Sequence, residues 1–177
     1  IKENPKIFVG YSDITAFLTS ITQRTELVTF HGPMLTTYKD SWVEYNSDSS
    51  MRLASYQVPY YGYESSKIDY GDLSIFVFNQ DSGTDQENVN RWRGQIGLAP
   101  QTELEIESSA QDESNNLGPY KIFKLINKSG SDTAFLCAIM SINDNKIFVK
   151  LSISKIGINI IEKEFFNFCQ SFKIDDE

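Results

Sequence analysis

Two apolar runs, Phe135 to Ile142 and Lys146 to Ile153, are separated only by the turn-forming stretch around Asn143-Asp144-Asn145. Strand-length runs rich in Ile, Val and Phe, closed by Asn and Asp, predict an antiparallel hairpin. Tyr120 to Ile126 reads as a strand before it, and Met51 to Val58 and Leu73 to Phe78 as two more. Between these groups, TDQENVNRWRGQIG predicts a helix. Thr84 or Asp85 can cap it, and Gly97 followed by Pro100 ends it. A closing helix is expected from about Asn159, with Glu162 three residues on as a capping box. Its apolar face is Ile161, Phe165, Phe168 and Phe172. Residues 99–118 carry five carboxylates and no base and read as a polar connection. The fold class expected for this part is α+β, an antiparallel sheet flanked by helices. The 136 residues from 42 onward are enough for a core of their own.

The first 38 residues follow a different plan. Lys6 to Val9 and Glu26 to Phe30 read as strands. Asp13 to Arg24 reads as a helix with Ile14, Phe17, Leu18 and Ile21 on one face. This is a βαβ unit, with parallel strands and a right-handed crossover. One helix cannot cover both faces of a parallel sheet, so the unit is truncated. The expected organisation is therefore residues 1–38 as a partial domain, 39–50 as a linker or first irregular segment, and 51–177 as the sheet domain. The chain opens at Ile1 rather than at a methionine, which leads to the expectation that the sequence begins inside a longer gene.

Charge supports the division. Residues 1–41 hold four basic and four acidic groups, so the net charge of −8 belongs entirely to the remainder. An acidic chain lacks the basic face a nucleic acid requires, and an anionic membrane surface is disfavoured for the same reason. No apolar run approaches the ~18 residues of a membrane span. No basic-then-apolar signal segment opens the chain, which makes the cytoplasm the default compartment. Cys137 and Cys169 stand far apart in apolar stretches and read as buried free thiols. With His31 the sole histidine, no metal site and no cofactor is expected.

Gly10-Tyr11-Ser12-Asp13 stands where the first strand turns into the helix. A serine there is exposed above the sheet edge, beside free amides of the helix N-terminus that can stabilise an oxyanion. The alternative is an ordinary N-cap formed by Ser12 or Asp13. The stretch NPKIFVGYSDITAFL…LVTFHGPML, from about Asn4 to Leu35, resembles the nucleophile region of the LD-carboxypeptidase family, serine peptidases that trim the terminal D-residue from murein peptides and whose relatives cleave microcin-type conjugates. The resemblance implies Ser12 as nucleophile, the backbone amide of Asp13 as an oxyanion donor, and a murein peptide as substrate. That family takes its glutamate and histidine from a second domain, and nothing after residue 38 resembles it. Without its base a serine triad loses on the order of 10⁴ to 10⁶ in rate. His31 is a weak substitute base. It ends the second strand of the same unit, and adjacent strands lie roughly 4.8 Å apart.

The second distinctive stretch is NVNRWRGQIGL, residues 88–98. Val89, Trp92 and Ile96 face a core, with Asn88, Arg91 and Gln95 on another side. Glu87 and Arg91 are spaced for an i,i+4 pair. Arg91 and Arg93 are candidate anion ligands, because guanidinium forks match carboxylates and phosphates. The alternative is that Asn90, Arg93 and Gln95 tie the helix to nearby loops. With SSMRLASYQVP, IFVKLSIS and EFFNFCQSFKI, this stretch resembles an uncharacterised bacterial PsbP-like family over residues 42–175. The resemblance implies an antiparallel sheet between helices, no enzymatic activity, and the cell envelope as an alternative location. Tyr56, Tyr60, Tyr61, Tyr63 and Tyr70 read either as a binding surface or as partly buried packing. The carboxylates from Glu103 to Glu113 lack calcium-loop spacing and read as a solvated loop.

The expectation from sequence is thus a non-catalytic binding or structural domain of unknown ligand and protein partner, fused to an incomplete peptidase fragment. The alternative is a serine-type LD-carboxypeptidase using Ser12, with the rest of the triad absent from the chain.

Overall fold

A computed structural model describes residues 8–10, 29–31, 42–47, 51–62, 67–79 and 82–173. Two short strands, β1 (Phe8–Gly10) and β2 (Thr29–His31), form their own parallel pair, with Phe8 opposite Thr29 and Gly10 opposite His31. The helix expected between them lies outside the described residues.

The second sheet has seven strands in the order β3-β4-β5-β9-β8-β7-β6, every neighbouring pair antiparallel. They are β3 (Val43–Glu44), β4 (Ala54–Tyr61), β5 (Ile68–Asn79), β6 (Gln111–Asn115), β7 (Gly118–Ile126), β8 (Thr133–Ile142) and β9 (Asn145–Ser154). The hairpin predicted around residues 143–145 is β8–β9, joined through Asn143 and Asp144. Asn143 has φ 50, a left-handed conformation that asparagine tolerates better than most residues. β6 is an edge strand, with Gln111 and Asp112 exposed.

Three helices cover the sheet: α1 (Asp85–Gln95), α2 (Glu103–Ser109) and α3 (Gly157–Gln170). Side chains alternate across a strand, and here both faces are buried. On one face Leu136, Ala138, Met140, Val149 and Leu151 pack with Ile158, Ile161, Phe165 and Phe168 of α3. On the other, Phe135, Cys137, Ile139 and Phe148 pack with Val89, Trp92 and Ile96 of the α1 segment and Ile106 of α2. Both cysteines are buried and free, as expected. The apolar face of the closing helix is as predicted, with Phe165 and Phe168 fully buried.

Several sequence expectations need correction. The acidic stretch 99–118 is not all loop. It contains α2, started by a Thr102–Glu105 capping box, and the edge strand β6. α3 begins at Gly157, two residues before Asn159, and has no capping box. Its first amide, on Gly157, donates instead to Ser154 Oγ (2.9 Å). Glu162 accepts from Lys124 of β7 (2.8 Å). Gly157 is also a point of close approach: a Cβ there would stand 2.6 Å from the Tyr60 ring and 2.7 Å from Ile153. The strand expected at Met51–Val58 runs from Ala54 through Pro59 to Tyr61, and that expected at Leu73–Phe78 is twice as long, from Ile68 to Asn79. In the stretch 39–50, Trp42 is buried, 5.3 Å centroid to centroid from Phe168, and β3 pairs with β4.

Candidate ligand-binding cavity

α1 is fixed at both ends by β9. Thr84 caps it, accepting from the Glu87 amide (3.1 Å) while Glu87 accepts from the Thr84 amide (2.8 Å). At the C-terminus the Gly97 amide donates to Gly94 O (3.1 Å) and the Leu98 amide to Arg93 O (2.9 Å), with Gly97 at φ +72. That is the paired Schellman arrangement, which favours glycine at the left-handed position. Lys146 of β9 holds the N-terminus, donating to Gly83 O (3.0 Å) and Asp85 Oδ1 (2.9 Å). Lys150, four residues on and so on the same face, donates to Gln95 Oε1 at the C-terminus. Ten residues of helix rise about 15 Å, and four residues of strand about 13 Å. The two lysines are therefore spaced to lay α1 along β9.

Beside this seam lies a cavity of about 350 Å³, lined by Met51, Phe76, Phe78, Arg91, Trp92, Gln95, Phe148 and Lys150. The register explains the lining. Phe76 is opposite Phe148, and Ser74 opposite Lys150, so alternate residues of β5 and β9 form its floor. Trp92 meets Phe148 edge-on at 5.9 Å, and Phe76 stacks on Phe78 at 6.0 Å. These rings form apolar walls, and the exposed Met51 stands at the rim.

Two cations reach this apolar space. Lys150 lies over the Phe135 ring, 3.9 Å from its centroid, and its acceptor among the described residues is the uncharged Gln95 amide oxygen. Burial pushes its ammonium below the usual lysine range, and neighbouring Arg52 and Arg91 act in the same direction. Asp72 is the carboxylate whose field opposes this, but its oxygens are engaged elsewhere. Arg52 donates to both of them (2.9 Å each), and the Tyr45 hydroxyl donates to Oδ1 (2.6 Å). Burial alone would raise the Asp72 carboxyl. The Arg52 and Tyr45 hydrogen bonds outweigh it and hold the group below the usual carboxylate range. Arg91 donates through Nη2 to Asn88 Oδ1 (2.7 Å), and its other donors have no protein acceptor among the described residues.

The sequence candidates separate here. Arg91 lines the cavity. Arg93 does not: its Nε donates to Ala99 O (2.9 Å). Asn90 exchanges two bonds with the Gln101 backbone (2.8 Å each), so these two residues tie the helix to the following loop as expected. Gln95 bonds to the sheet instead. The Glu87–Arg91 pair does not form, because Glu87 closes the capping box and Arg91 turns to the buried Asn88. Tyr60 is buried, donating to Ser154 Oγ (2.8 Å), whereas Tyr61 and Tyr70 are exposed. Tyr63, Ser12 and Asp13 lie outside the described residues, and His31 is described as the last residue of β2. Sequence reasoning missed Lys150. The available signal was a lysine inside the otherwise apolar run Ile147 to Leu151.

Comparison with known proteins finds a family match at the start of the chain. The model of the LD-carboxypeptidase N-terminal domain matches residues 1–32. The Bacillus subtilis protein named probable murein peptide carboxypeptidase is 68% identical over 37 residues, which is 21% of this chain and 12% of that protein. The microcin C7 self-immunity protein MccF of Escherichia coli is 59% identical over 32 residues, 18% of this chain and 9% of that protein. The chain thus spans about a tenth of the length of these curated relatives. Among solved structures, cyanobacterial PsbP (CyanoP) from Synechocystis sp. PCC 6803 aligns over 77% of this chain and 84% of its own, with a TM-score of 0.48 and 12% identity.

Proposed function

We propose that the seven-stranded domain, beginning near Trp42, is a non-catalytic binding module, and that residues 1–38 are an incomplete βαβ unit of a peptidase. The cavity between α1 and strands β5 and β9 carries this reading. A concave apolar space with a few directed polar groups is the general form of a ligand site, and here it is walled by residues of the α1-side core. The match to the peptidase family model, by contrast, ends at residue 32.

One observation favours a second reading, a serine-type LD-carboxypeptidase. The parallel register sets Gly10, two residues before Ser12, directly opposite His31. Ser12 would then be the nucleophile, the Asp13 amide an oxyanion donor and His31 the base. Incubating the purified chain with murein tetrapeptide and measuring free D-alanine tests the choice. The binding reading expects none, from the wild type or from Ser12→Ala. Release that Ser12→Ala abolishes establishes the peptidase.

A further inference from the structure

We propose that the α1–β9 cavity is a binding site for a small organic acid: one anionic group held by Arg91 and Lys150, on a flat apolar body stacked among Phe76, Phe78, Trp92 and Phe148. The proposal rests on the binding-module reading and names the ligand class.

Three observations carry it. The first is charge placed without a counter-charge. Lys150 gives one bond to the neutral Gln95 oxygen, and Arg91 one bond to the neutral Asn88 oxygen. Asp72 is bound by Arg52 and Tyr45. Among the described residues no ion pair involves either cavity cation, although Arg52, Lys121, Lys124 and Lys146 each have one. A cation beside low-dielectric walls attracts an anion far more strongly than one in open water. The second is geometry. A guanidinium keeps donors for a planar, two-pronged acceptor, and an ammonium supplies a point charge beside it. The third is the walls. Four aromatic rings and Met51 accept a planar apolar body, and an inorganic ion would leave them unfilled. The chain is acidic overall, so this is a local reversal of its field rather than part of a general basic surface.

The test titrates the full chain with phenylacetate, phenyl phosphate and the uncharged phenylacetamide, by calorimetry and by the Trp92 indole NH signal. Phenylacetate is expected to bind and to shift the Trp92 signal, and phenylacetamide to bind at least about tenfold more weakly, the size of one charge-assisted hydrogen bond. Phenyl phosphate binding better than phenylacetate reassigns the acid group and keeps the site. Arg91→Met and Lys150→Met should each weaken binding by about tenfold or more, whereas Lys163→Met, on the exposed side of α3, should not. Arg91 is exposed, so its variant remains informative if Lys150→Met fails to fold. Equal binding of acid and amide, an unmoved Trp92 signal, or full affinity in Arg91→Met overturns the proposal. None of these results alters the D-alanine assay, so the binding-module reading stands or falls separately.

Discussion

Lys150 is the residue whose chemistry is most changed by the fold. Its ammonium is depressed first by burial and then by Arg52 and Arg91, with Asp72 and Cys137 pulling the other way. A lysine depressed in the folded chain releases its proton at lower pH than the same lysine unfolded. Between its folded value and the ordinary 10.5, the unfolded state binds more protons, so stability rises with pH across that window. Below the window the charged ammonium is a standing cost. Wild type is therefore expected to gain stability relative to Lys150→Met as pH climbs toward 10.5, read as the difference in denaturant midpoint across a pH series. A constant difference would mean that Lys150 is solvated like any surface lysine.

At the scale of elements, α1 shows what local sequence controls and what it leaves open. Thr84 was one of the two caps expected from sequence, and in the structure it forms a capping box with Glu87, three residues on. Thr84→Ala should cost about 1 kcal/mol, measured by urea unfolding. Glu87→Gln should cost less, because its amide can still accept from Thr84. The same signature, Thr102 and Glu105, starts α2, and was hidden by the acidic run around it. β6 was illegible for another reason. Its residues, Gln111 to Asn115, alternate no apolar side chains and pair through backbone, with Asn115 also donating to Cys169 O of α3 (2.8 Å). Conversely, Asn159 and Glu162 look like a cap in sequence, but both accept from Lys124 across the sheet. A tertiary ion pair won over the local motif.

For the whole molecule, one sheet supports two cores, and β8 and β9 belong to both. Phe165 has no exposed surface on the α3 side. Phe165→Ala should cost about 3–5 kcal/mol. Because the strands are shared, the loss should not stay on one side. Trp42 reports the α3 core and Trp92 the opposite one, and both are expected to lose their native signals in one coincident thermal transition at lower temperature. Two separated transitions would show independent halves. The peptidase resemblance was legible in the GYSD and HGP motifs, and the family model matches residues 1–32. The α+β class was legible from the β8–β9 hairpin and the periodic face of α3. The cavity was only half legible. Arg91 could be singled out as a guanidinium on a helix, but its pairing with Lys150, some sixty residues away, depends on strand register, which short-range patterns do not encode.

The outermost strand, β6, has a consequence for how many molecules behave together. Among the described residues no strand pairs with its outer edge, and such an edge offers backbone donors and acceptors that a second molecule could zip onto, the route by which sheet proteins grow into fibres. Asp112 and Glu113 stand side by side along that edge, and an incoming copy of the same strand would bring carboxylate against carboxylate. At neutral pH the molecule thereby repels its own kind along the line where it would otherwise polymerise.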